Sequence, residues 1–321
     1  MVDTYDVVIA TYNGELYLSE QLRSIESQSV LPCHIYIGDD GSTDQTISII
    51  NEWIKSSSIP VTYYSPSKSR LGSVRNFERL LSASKSSFVM LSDQDDVWHS
   101  DKAVNLLRSI KSLEKQYGTN TPLLAYSDLS VVDSVGNIIS PSFFRYQHLN
   151  PKSNHWLSIG LQNIVPGCSS VVNRKCIQLS LPFPDNVIMH DWWLALVASS
   201  SGETTYYPDS TINYRQHANN VVGASSFSCL FIRRLFLFLK PSLIDKYIGE
   251  PILQLQACAN RLKIDNSSLS DCLADLTSSY PITRICAALR LGLKKHGIIR
   301  TIFFYILLFF WNPPSHHNFL K

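Results

Sequence analysis

The chain has 321 residues, of which 45% are hydrophobic, and a net charge of +2, so it can bury a full core and is not a disordered protein. Charged residues make up 17%, below the usual fraction of about 25%, which indicates additional buried or interfacial surface. The seven cysteines are scattered and never form a CxxC pair, which disfavours a zinc site or a disulfide framework and fits a reducing cytoplasm.

Strands alternate with helices over residues 1–122. Short apolar runs predict the strands, and apolar residues at helical spacing predict the helices between them. The predicted strands are Asp6–Ala10, His34–Gly38, Val61–Tyr64 and Phe88–Leu91, and the predicted helices begin near Leu18, Ser42, Arg75 and Asp101. This order predicts an α/β fold with a mostly parallel, doubly wound sheet, in which ligands bind beyond the carboxyl ends of the strands. The first strand follows no basic region or apolar signal core, so the protein is not expected to be exported.

Residues 123–223 are less regular. The pattern predicts a strand at Leu123–Asp128 and a hairpin at Val131–Ile139, with its turn at Ser134–Asn137. Further short strands are predicted at Thr204–Tyr207 and Ile212–Gln216. A helix is predicted to follow Asp191.

The C-terminal region, residues 224–321, differs from the rest in charge. It holds 12 Lys and Arg against 5 Asp and Glu, whereas residues 1–223 hold 16 against 21. Two apolar stretches lie there, but Phe227–Leu239 is interrupted by two arginines, and Ile302–Trp311 would extend roughly 15 Å as a helix, half of a ~30 Å hydrocarbon core. We therefore expect a helical, apolar and basic extension. Its last helix either lies on an anionic membrane surface or packs into the core.

An acidic cluster follows the fourth predicted strand. Asp93, Asp95 and Asp96 lie within four residues, and such carboxylates repel one another unless a cation or a basic partner is present. Mg²⁺ or Mn²⁺ bridging to substrate phosphates usually takes one or two protein carboxylates. The alternative is a solvated loop that caps the next helix, and Asp96 and Asp101 are assigned to that simpler role.

Polar motifs also follow the first two predicted strands. Asp39 and Asp40 precede a glycine, and one carboxylate at this position could accept a hydrogen bond from a base or a ribose. The segment Ala10–Glu15 follows the first strand at the same sheet edge. Each motif alone is also consistent with a simple turn or helix cap.

Together, the segments DVVIATYNG, IGDDGSTD, RLGSVRNFERLL and LSDQDDVW, in this order and spacing, resemble glycosyltransferase family 2 over about residues 4–223. The resemblance implies an A-type glycosyltransferase fold. In it, residues 1–223 form the catalytic domain, with a nucleotide-binding half (1–122) and an acceptor half (123–223).

The same resemblance implies roles for individual residues. Thr11 and Asp40 are expected to contact the nucleobase and ribose, and Arg75 to lie near the nucleotide. Asp93 and Asp95 match the DxD motif, in which Asp95 is the better candidate for direct ligation of Mg²⁺ or Mn²⁺.

Two further motifs extend the resemblance. Asp191 in MHDWWLA matches the position of the catalytic acid–base residue, although it is also a good helix N-cap. His190 replaces the glutamate found in many members and is expected to be a packed side chain. YRQHANNVVG resembles a segment of polysaccharide transferases, in which Arg215 or His217 could reach the diphosphate. His217 is a candidate metal ligand, although a lone histidine is more often structural.

The motifs together look most like rhamnosyltransferase-type members that build O-antigen or capsule. The expected activity is inverting transfer of L-rhamnose from dTDP-rhamnose to a glycan or lipid-linked acceptor, with Asp191 as the general base. A UDP-sugar donor such as UDP-galactose or UDP-N-acetylglucosamine is the alternative, and a non-catalytic nucleotide-sugar-binding module is a distant one. The expected location is the cytoplasm, with contact to the inner face of the membrane left open. Nucleic-acid binding is not expected, because the basic residues accompany apolar segments.

Overall fold

The computed structural model describes residues 4–65, 69–217, 241–264 and 267–313. In these ranges nine strands form one sheet. They are β1 Tyr5–Thr11, β2 His34–Asp39, β3 Val61–Tyr64, β4 Phe88–Ser92, β5 Val97–Trp98, β6 Leu123–Val132, β7 Ile138–Ser140, β8 Ser170–Asn173 and β9 Glu203–Arg215.

Eight of the described helices belong to residues 4–217. They are α1 Leu18–Glu26, α2 Thr46–Ser56, α3 Gly72–Ala83, α4 Lys102–Tyr117, α5 Phe143–Tyr146, α6 Trp156–Leu161, α7 Arg174–Ser180 and α8 His190–Ser201. The C-terminal helices are α9 Pro241–Ile244, α10 Glu250–Arg261, α11 Ser267–Asp275, α12 Pro281–Arg290 and α13 Ile298–Phe310, and a π-helical turn, Asp245–Gly249, joins α9 to α10.

The sheet has the strand order β3-β2-β1-β4-β8-β6-β9-β5, and β7 pairs with β6. The first four strands in this order are parallel, as the alternation of strands and helices predicts. β8 then runs antiparallel to both β4 and β6, while β6 and β9 are parallel. The predicted α/β fold is thus confirmed, with its parallel part concentrated in the first half and a mixed second half.

Successive side chains of β1 point to opposite faces of the sheet, because strand side chains alternate. Val7 and Ile9 pack in a core with α1, α2 and α4, whereas Val8 packs in a second core with α3 and α8. Helices therefore cover both faces, which explains why the strands read as continuous apolar runs rather than as alternating ones.

The C-terminal helices contribute to the second core. Leu255 of α10 and Phe304 of α13 are fully buried in the same cluster as Trp193 of α8. At Gly160 of α6 an added Cβ would lie 2.1 Å from Leu255, so only glycine allows this close contact between α6 and α10. The predicted boundary at residues 223 and 224 lies outside the described residues and stays a prediction.

In the middle region the structure confirms one detail of the prediction and corrects another. The predicted turn of the hairpin is confirmed, because the Asp133 N–H donates to the Asn137 carbonyl at 2.9 Å. The two predicted strands at Thr204–Tyr207 and Ile212–Gln216 are instead one strand, β9. β9 pairs with β6, and the register of this pairing shifts around Asp128. The shift interrupts the apolar pattern of β9, although β9 itself continues as one strand.

Two basic residues of the C-terminal region are buried and structural. Arg284 is buried and donates to the carbonyls of Leu308 (3.0 Å), Phe309 (3.0 Å) and Trp311 (2.6 Å) at the end of α13. Arg300 is buried and donates to two carbonyls in the loop after α5. Arg284 and Arg300 therefore add no charge to the protein surface, because backbone carbonyls bind them inside.

Helix α13 is amphipathic rather than uniformly buried. Phe304, Leu307 and Leu308 point into the core. The opposite face exposes large apolar side chains at helical spacing, namely Ile298, Ile302, Ile306, Phe309 and Phe310. Within the ranges given above, no helix combines the length and the apolar character needed to cross a bilayer. The apolar stretch Phe227–Leu239 lies outside the described residues.

Candidate active site

The ends of three parallel strands bring the predicted motifs to one sheet edge. Thr11 at the end of β1 is in register with Asp39 of β2, and Ile9 is in register with Ser92 of β4. A cavity of about 630 Å³ opens at this edge. Five residues predicted from the sequence line it, namely Thr11, Asp40, Asp93, Asp95 and Asp191.

Asp39 organises the loop after β2 from inside the protein. It is fully buried, and its carboxylate accepts hydrogen bonds from the Thr11 hydroxyl at 3.0 Å and from the N–H groups of Gly41 (3.0 Å) and Ser42 (2.9 Å). Gly41 has φ of +89°, a conformation that favours glycine and closes this tight turn. Asp39 is therefore a structural carboxylate that also orients Thr11.

Asp40, by contrast, reaches the cavity. Its carboxylate accepts the N–H groups of Leu71 at 2.6 Å and Gly72 at 2.9 Å, and so ties β2 to the loop before α3. Arg70 of that loop lies 3.6 Å from the same carboxylate, and its guanidinium stacks 3.6 Å from the ring centre of Tyr12. Arg70 and Tyr12 also line the cavity. This pair was not singled out from the sequence, although Arg70 is the first residue of the RLGSVRNFERLL segment.

Arg75 lies outside the cavity lining and bonds to protein groups. One of its terminal nitrogens donates to Glu78, three residues along α3, at 2.6 Å and to the Phe183 carbonyl at 2.9 Å. The other donates to Asp185 at 2.7 Å. Arg75 thus joins α3 to the loop before α8 and is absent from the cavity lining, whereas its neighbour Asn76 belongs to that lining.

The acidic cluster has a basic partner that the sequence did not reveal. Lys102, in the first turn of α4, is fully buried, and its ammonium donates to the Cys168 carbonyl and lies 3.4 Å from the ring centre of Trp98. Burial lowers the pKa of Lys102 to about 7, while the carboxylates of Asp96 and Asp93 oppose this shift. A lysine therefore lies behind the cluster as its internal counter-charge.

Two members of the cluster, Asp93 and Asp96, have raised pKa values. Removal from bulk solvent, and then the charges of Asp95 and Asp191, raise the pKa of Asp93 to about 7. Burial and the neighbouring acids raise the pKa of Asp96 well above its usual range. Such a group of carboxylates favours binding of a cation, which removes the mutual repulsion.

The remaining members of the cluster bond to the end of β9. Asp96 is buried and accepts the Arg215 N–H at 3.0 Å, so it is not the solvated loop or helix-cap residue that was expected. The Arg215 side chain donates to the Asp95 carbonyl and pairs with Glu20 at 2.7 Å, which holds the loop instead of reaching toward a substrate. His217 Nε2 lies 2.8 Å from Asp95 Oδ2. Residues 218–223 of the same motif lie outside the described residues.

Asp101 makes no cap hydrogen bond to the backbone of α4. Its carboxylate instead accepts the side-chain amide of Asn105 at 2.9 Å. A group of possible metal-binding atoms is formed by Asp93, Asp96 and Cys168, which lie within 4.8 Å of one another. Burial raises the pKa of the Cys168 thiol well above its usual range. The carboxylates are the better ligands for Mg²⁺ or Mn²⁺, because these cations prefer oxygen ligands.

Asp191 lies in the first turn of α8. Its carboxylate accepts the N–H of Trp192 at 2.7 Å and the N–H of Gly167 at 3.1 Å. An added Cβ at Gly167 would lie 2.9 Å from the Asp191 Cβ, so glycine permits this approach. Burial raises the pKa of Asp191 to about 6, although these hydrogen bonds oppose the shift. A carboxylate with these properties is ionised at neutral pH and is basic enough to accept a proton.

His190, beside Asp191, is a packed side chain, as expected. Its ring stacks on Phe77 with 3.7 Å between centroids, and burial lowers its pKa to about 3. It is therefore neutral at physiological pH and forms an uncharged part of the cavity lining.

The chain is similar to known glycosyltransferases. Residues 6–121 match the family described as Glycosyl transferase family 2. The chain is 30% identical over 239 residues to the dTDP-rhamnosyl transferase RfbG of Shigella flexneri, an alignment that covers 70% of this chain and 77% of that protein. It is also 30% identical over 94 residues to the poly(ribitol-phosphate) beta-N-acetylglucosaminyltransferase TarS of Staphylococcus aureus, covering 29% of this chain and 16% of that protein.

Solved structures share the fold. The structure of S. aureus TarS 1-349 in complex with UDP superposes with a TM-score of 0.52 at 16% identity, covering 91% of this chain and 92% of that one. The mannosyltransferase PcManGT from Pyrobaculum calidifontis, in complex with GDP-Man and Mn²⁺, superposes with a TM-score of 0.50 at 16% identity. The superposition covers 95% of this chain and 85% of that one.

Proposed function

Because the chain belongs to glycosyltransferase family 2, we propose that it transfers a sugar from a nucleotide-sugar to a glycan or lipid-linked acceptor with inversion at the anomeric carbon. One observation carries this proposal: a single cavity is lined by the strand-end residues Thr11, Asp40 and Asp93 and by the carboxylate of Asp191. We assign the nucleotide to the strand ends, and the acceptor hydroxyl to the side of Asp191.

Asp191 acts in this proposal as the general base. The two backbone N–H groups hold its carboxylate in one orientation, and its pKa of about 6 keeps it ionised at neutral pH. It takes the proton from the acceptor hydroxyl as that oxygen attacks the sugar from the face opposite the leaving nucleoside diphosphate. Correctly placed acid–base catalysis contributes about 10²–10⁴ in rate.

The proposed donor is dTDP-rhamnose, and the proposed product is part of a bacterial surface polysaccharide such as O-antigen or capsule. The similarity to RfbG, over more than three quarters of that protein, supports this choice. UDP-N-acetylglucosamine is the second candidate donor, because TarS matches at the same identity over a shorter segment.

The proposed cofactor is Mg²⁺ or Mn²⁺ at Asp95, with Asp93 and His217 beside it. The carboxylate oxygens that face the cavity fit such cations, which prefer oxygen ligands. When bound, the cation would neutralise charge on the leaving diphosphate. An Asp95→Asn variant should need a higher metal concentration for half-maximal donor turnover, and an unchanged requirement would place the metal elsewhere.

A donor panel tests the proposed function. The protein is incubated with dTDP-rhamnose, UDP-N-acetylglucosamine or UDP-galactose, each with Mn²⁺ or with a chelator, and release of the nucleoside diphosphate is measured. We expect dTDP-rhamnose with Mn²⁺ to react fastest. A preference for a UDP-sugar would overturn the donor assignment, and binding without turnover of any donor, even with lipid-linked acceptor extracts, would favour a binding module.

We also propose that the exposed apolar face of α13 rests on the inner surface of the cell membrane. Arg290 and Lys294, which precede α13 in the sequence, are exposed and would complement anionic lipids. The triple variant Ile298→Ser, Ile302→Ser, Phe310→Ser should lose flotation with phosphatidylglycerol vesicles, whereas Val135→Ser, exposed in the hairpin turn, should keep it. Equal flotation of both variants would contradict this assignment.

A further inference from the structure

The loops that carry the proposed nucleotide and metal contacts leave two adjacent parallel strands. β1 ends at Thr11 and β4 ends at Ser92, and the two strands pair with each other. Residues 12–17 follow β1, and residues 93–96, with the acidic cluster, follow β4. Because parallel neighbours end at the same sheet edge, the two loops lie side by side at the cavity. A side chain that joins them would set the spacing between the two halves of the proposed donor site.

Gln94 joins these two loops. It lies between Asp93 and Asp95, and its side-chain amide pairs with both backbone groups of Tyr12. The Tyr12 N–H donates to Gln94 Oε1 at 2.8 Å, and Gln94 Nε2 donates to the Tyr12 carbonyl at 3.0 Å. The two bonds use the acceptor and the donor of the amide, so they fix its orientation. Gln94 and Tyr12 both line the cavity.

Gly14 leaves room for this pairing. A Cβ added at Gly14 would lie 2.4 Å from Gln94 Oε1 and 2.7 Å from Gln94 Cδ, which is closer than non-bonded atoms approach. The three nearest atoms all belong to Gln94, so a methyl group at this position would first displace that amide. The glycine of one loop and the glutamine of the other are therefore a matched pair.

The loop after β1 is also bonded to the loop after β2. The Asn13 N–H donates to the Ser42 hydroxyl at 2.9 Å, and the Gly14 N–H donates to the Thr46 hydroxyl, at the start of α2, at 2.7 Å. The loop after β1 thus lies between the segment that carries Asp40 and the segment that carries the acidic cluster. It is hydrogen-bonded to both, and Gln94 supplies the bonds on the acidic side.

We propose that Gln94 is a positioning residue that fixes the distance between the nucleoside site at Thr11 and Asp40 and the metal site at Asp95. A nucleoside diphosphate bound through a metal touches both sites, whereas a nucleoside or a metal alone touches one. A fixed spacing favours the ligand that spans both sites, because its second contact then requires no further ordering of the loops. This inference rests on the proposed function, which places the nucleoside and the metal at these residues.

Three probes separate these cases. The full-length protein is titrated with thymidine without metal by ligand-observed NMR, and with Mn²⁺ alone or dTDP in the presence of Mn²⁺ by calorimetry. Gln94→Ala removes both hydrogen bonds to Tyr12 and should weaken binding of dTDP with Mn²⁺ about tenfold. The dissociation constants for thymidine and for Mn²⁺ alone should change less than about twofold, because each ligand touches one loop. A purely structural role would not produce this split.

Gly14→Ala tests the same contact from the other loop. Its methyl group displaces the Gln94 amide, so this variant should reproduce the tenfold loss while residue 94 is unchanged. In the Gln94→Ala background the amide is absent, so adding Gly14→Ala should change the affinity less than about twofold. The matched control is Gln116→Ala, an exposed glutamine on α4 that should alter none of the three affinities. Urea unfolding of each variant is measured first, so that only folded proteins are compared.

Equal losses for thymidine and for dTDP with Mn²⁺ would overturn the inference, because Gln94 would then shape the nucleoside site alone. A full effect of Gly14→Ala in both backgrounds would overturn it as well, since the effect would not pass through Gln94. A wild type whose dTDP affinity does not rise with Mn²⁺ would contradict the proposed metal site and the inference with it. A normal wild-type response with unchanged affinities in Gln94→Ala would contradict the inference alone.

Discussion

Two acidic groups face the same cavity, and the protein stabilises them in different ways. Asp191 comes from a different segment of the chain, and its carboxylate accepts two backbone N–H groups. The cluster of Asp93, Asp95 and Asp96 places three carboxylates within four residues and has the buried Lys102 behind it. The first arrangement fixes the orientation of one charge, whereas the second gathers several charges around a cation.

The pKa values express this difference. Burial raises the pKa of Asp191 to about 6, and its hydrogen bonds limit the increase. Burial together with repulsion raises the pKa of Asp93 to about 7. An oriented carboxylate is suited to accept a proton from a substrate, while a repelling cluster is suited to bind a metal. Substitution of Asp191 and substitutions at the cluster should therefore change different measured quantities.

The largest expected effect comes from Asp191→Asn. It removes the base while keeping the size of the side chain, so kcat should fall by about 10²–10⁴ with little change in the affinity for dTDP. Asp271→Asn, an exposed acid on α11, is the control and should keep full activity. Turnover near the wild-type value in Asp191→Asn would remove the distinction between the two acidic groups.

A smaller loss is expected when the counter-charge of the cluster is removed. Lys102→Met leaves the carboxylates without their protein cation, so the free energy of unfolding should fall by on the order of 3 kcal/mol in a chelator. Mn²⁺ should recover part of the loss, because a cation that binds only the folded cluster stabilises it. Lys115→Met, at an exposed position on the same helix, should change stability by less than about 0.5 kcal/mol. Equal losses in both variants in urea unfolding would show that Lys102 does not neutralise the cluster.

The pH dependence of the wild type should separate the two groups. The base must be deprotonated, so kcat/KM at saturating metal should be half-maximal near pH 6, the pKa of Asp191. It should level off about one pH unit higher and fall tenfold per unit at lower pH. Protons compete with metal at Asp93, so the metal concentration for half-maximal activity should rise as pH falls below about 7. If activity fell at low pH in one step that did not depend on the metal concentration, one acidic group would control both proton transfer and metal binding.

The acidic groups also show what a sequence can reveal about this fold. Thr11, Asp40 and Asp93 directly follow strands whose apolar runs are easy to recognise, and parallel strands end at one edge. Their common location was therefore predictable from local patterns. Asp191 was found through a motif at a helix start, and its cavity position matches that expectation.

Contacts between distant segments were not predictable. Lys102 follows a polar Asp101 at a helix start, where a lysine usually faces solvent, and only packing against Trp98 and Cys168 buries it. Arg284 and Arg300 carry the charge expected of a membrane surface, but carbonyl groups distant in the sequence bind them inside. Spacing along the chain does not report such partners.

Arg75 gives the smallest expected effect and tests the limits of the comparison. Its guanidinium bonds to Glu78, Asp185 and a backbone carbonyl, outside the cavity. Arg75→Ala should therefore lower the free energy of unfolding by about 1 kcal/mol, since one partner is exposed and the ion pairs are screened by solvent. The dissociation constant for dTDP should change less than about twofold, whereas Arg70→Ala, at the cavity, should raise it more, because Arg70 holds Tyr12 and Asp40. A tenfold higher dissociation constant for dTDP in Arg75→Ala, measured by calorimetry, would contradict this expectation. The nucleotide would then reach α3, and Arg75 would be a third charged group of the site besides the two acidic groups.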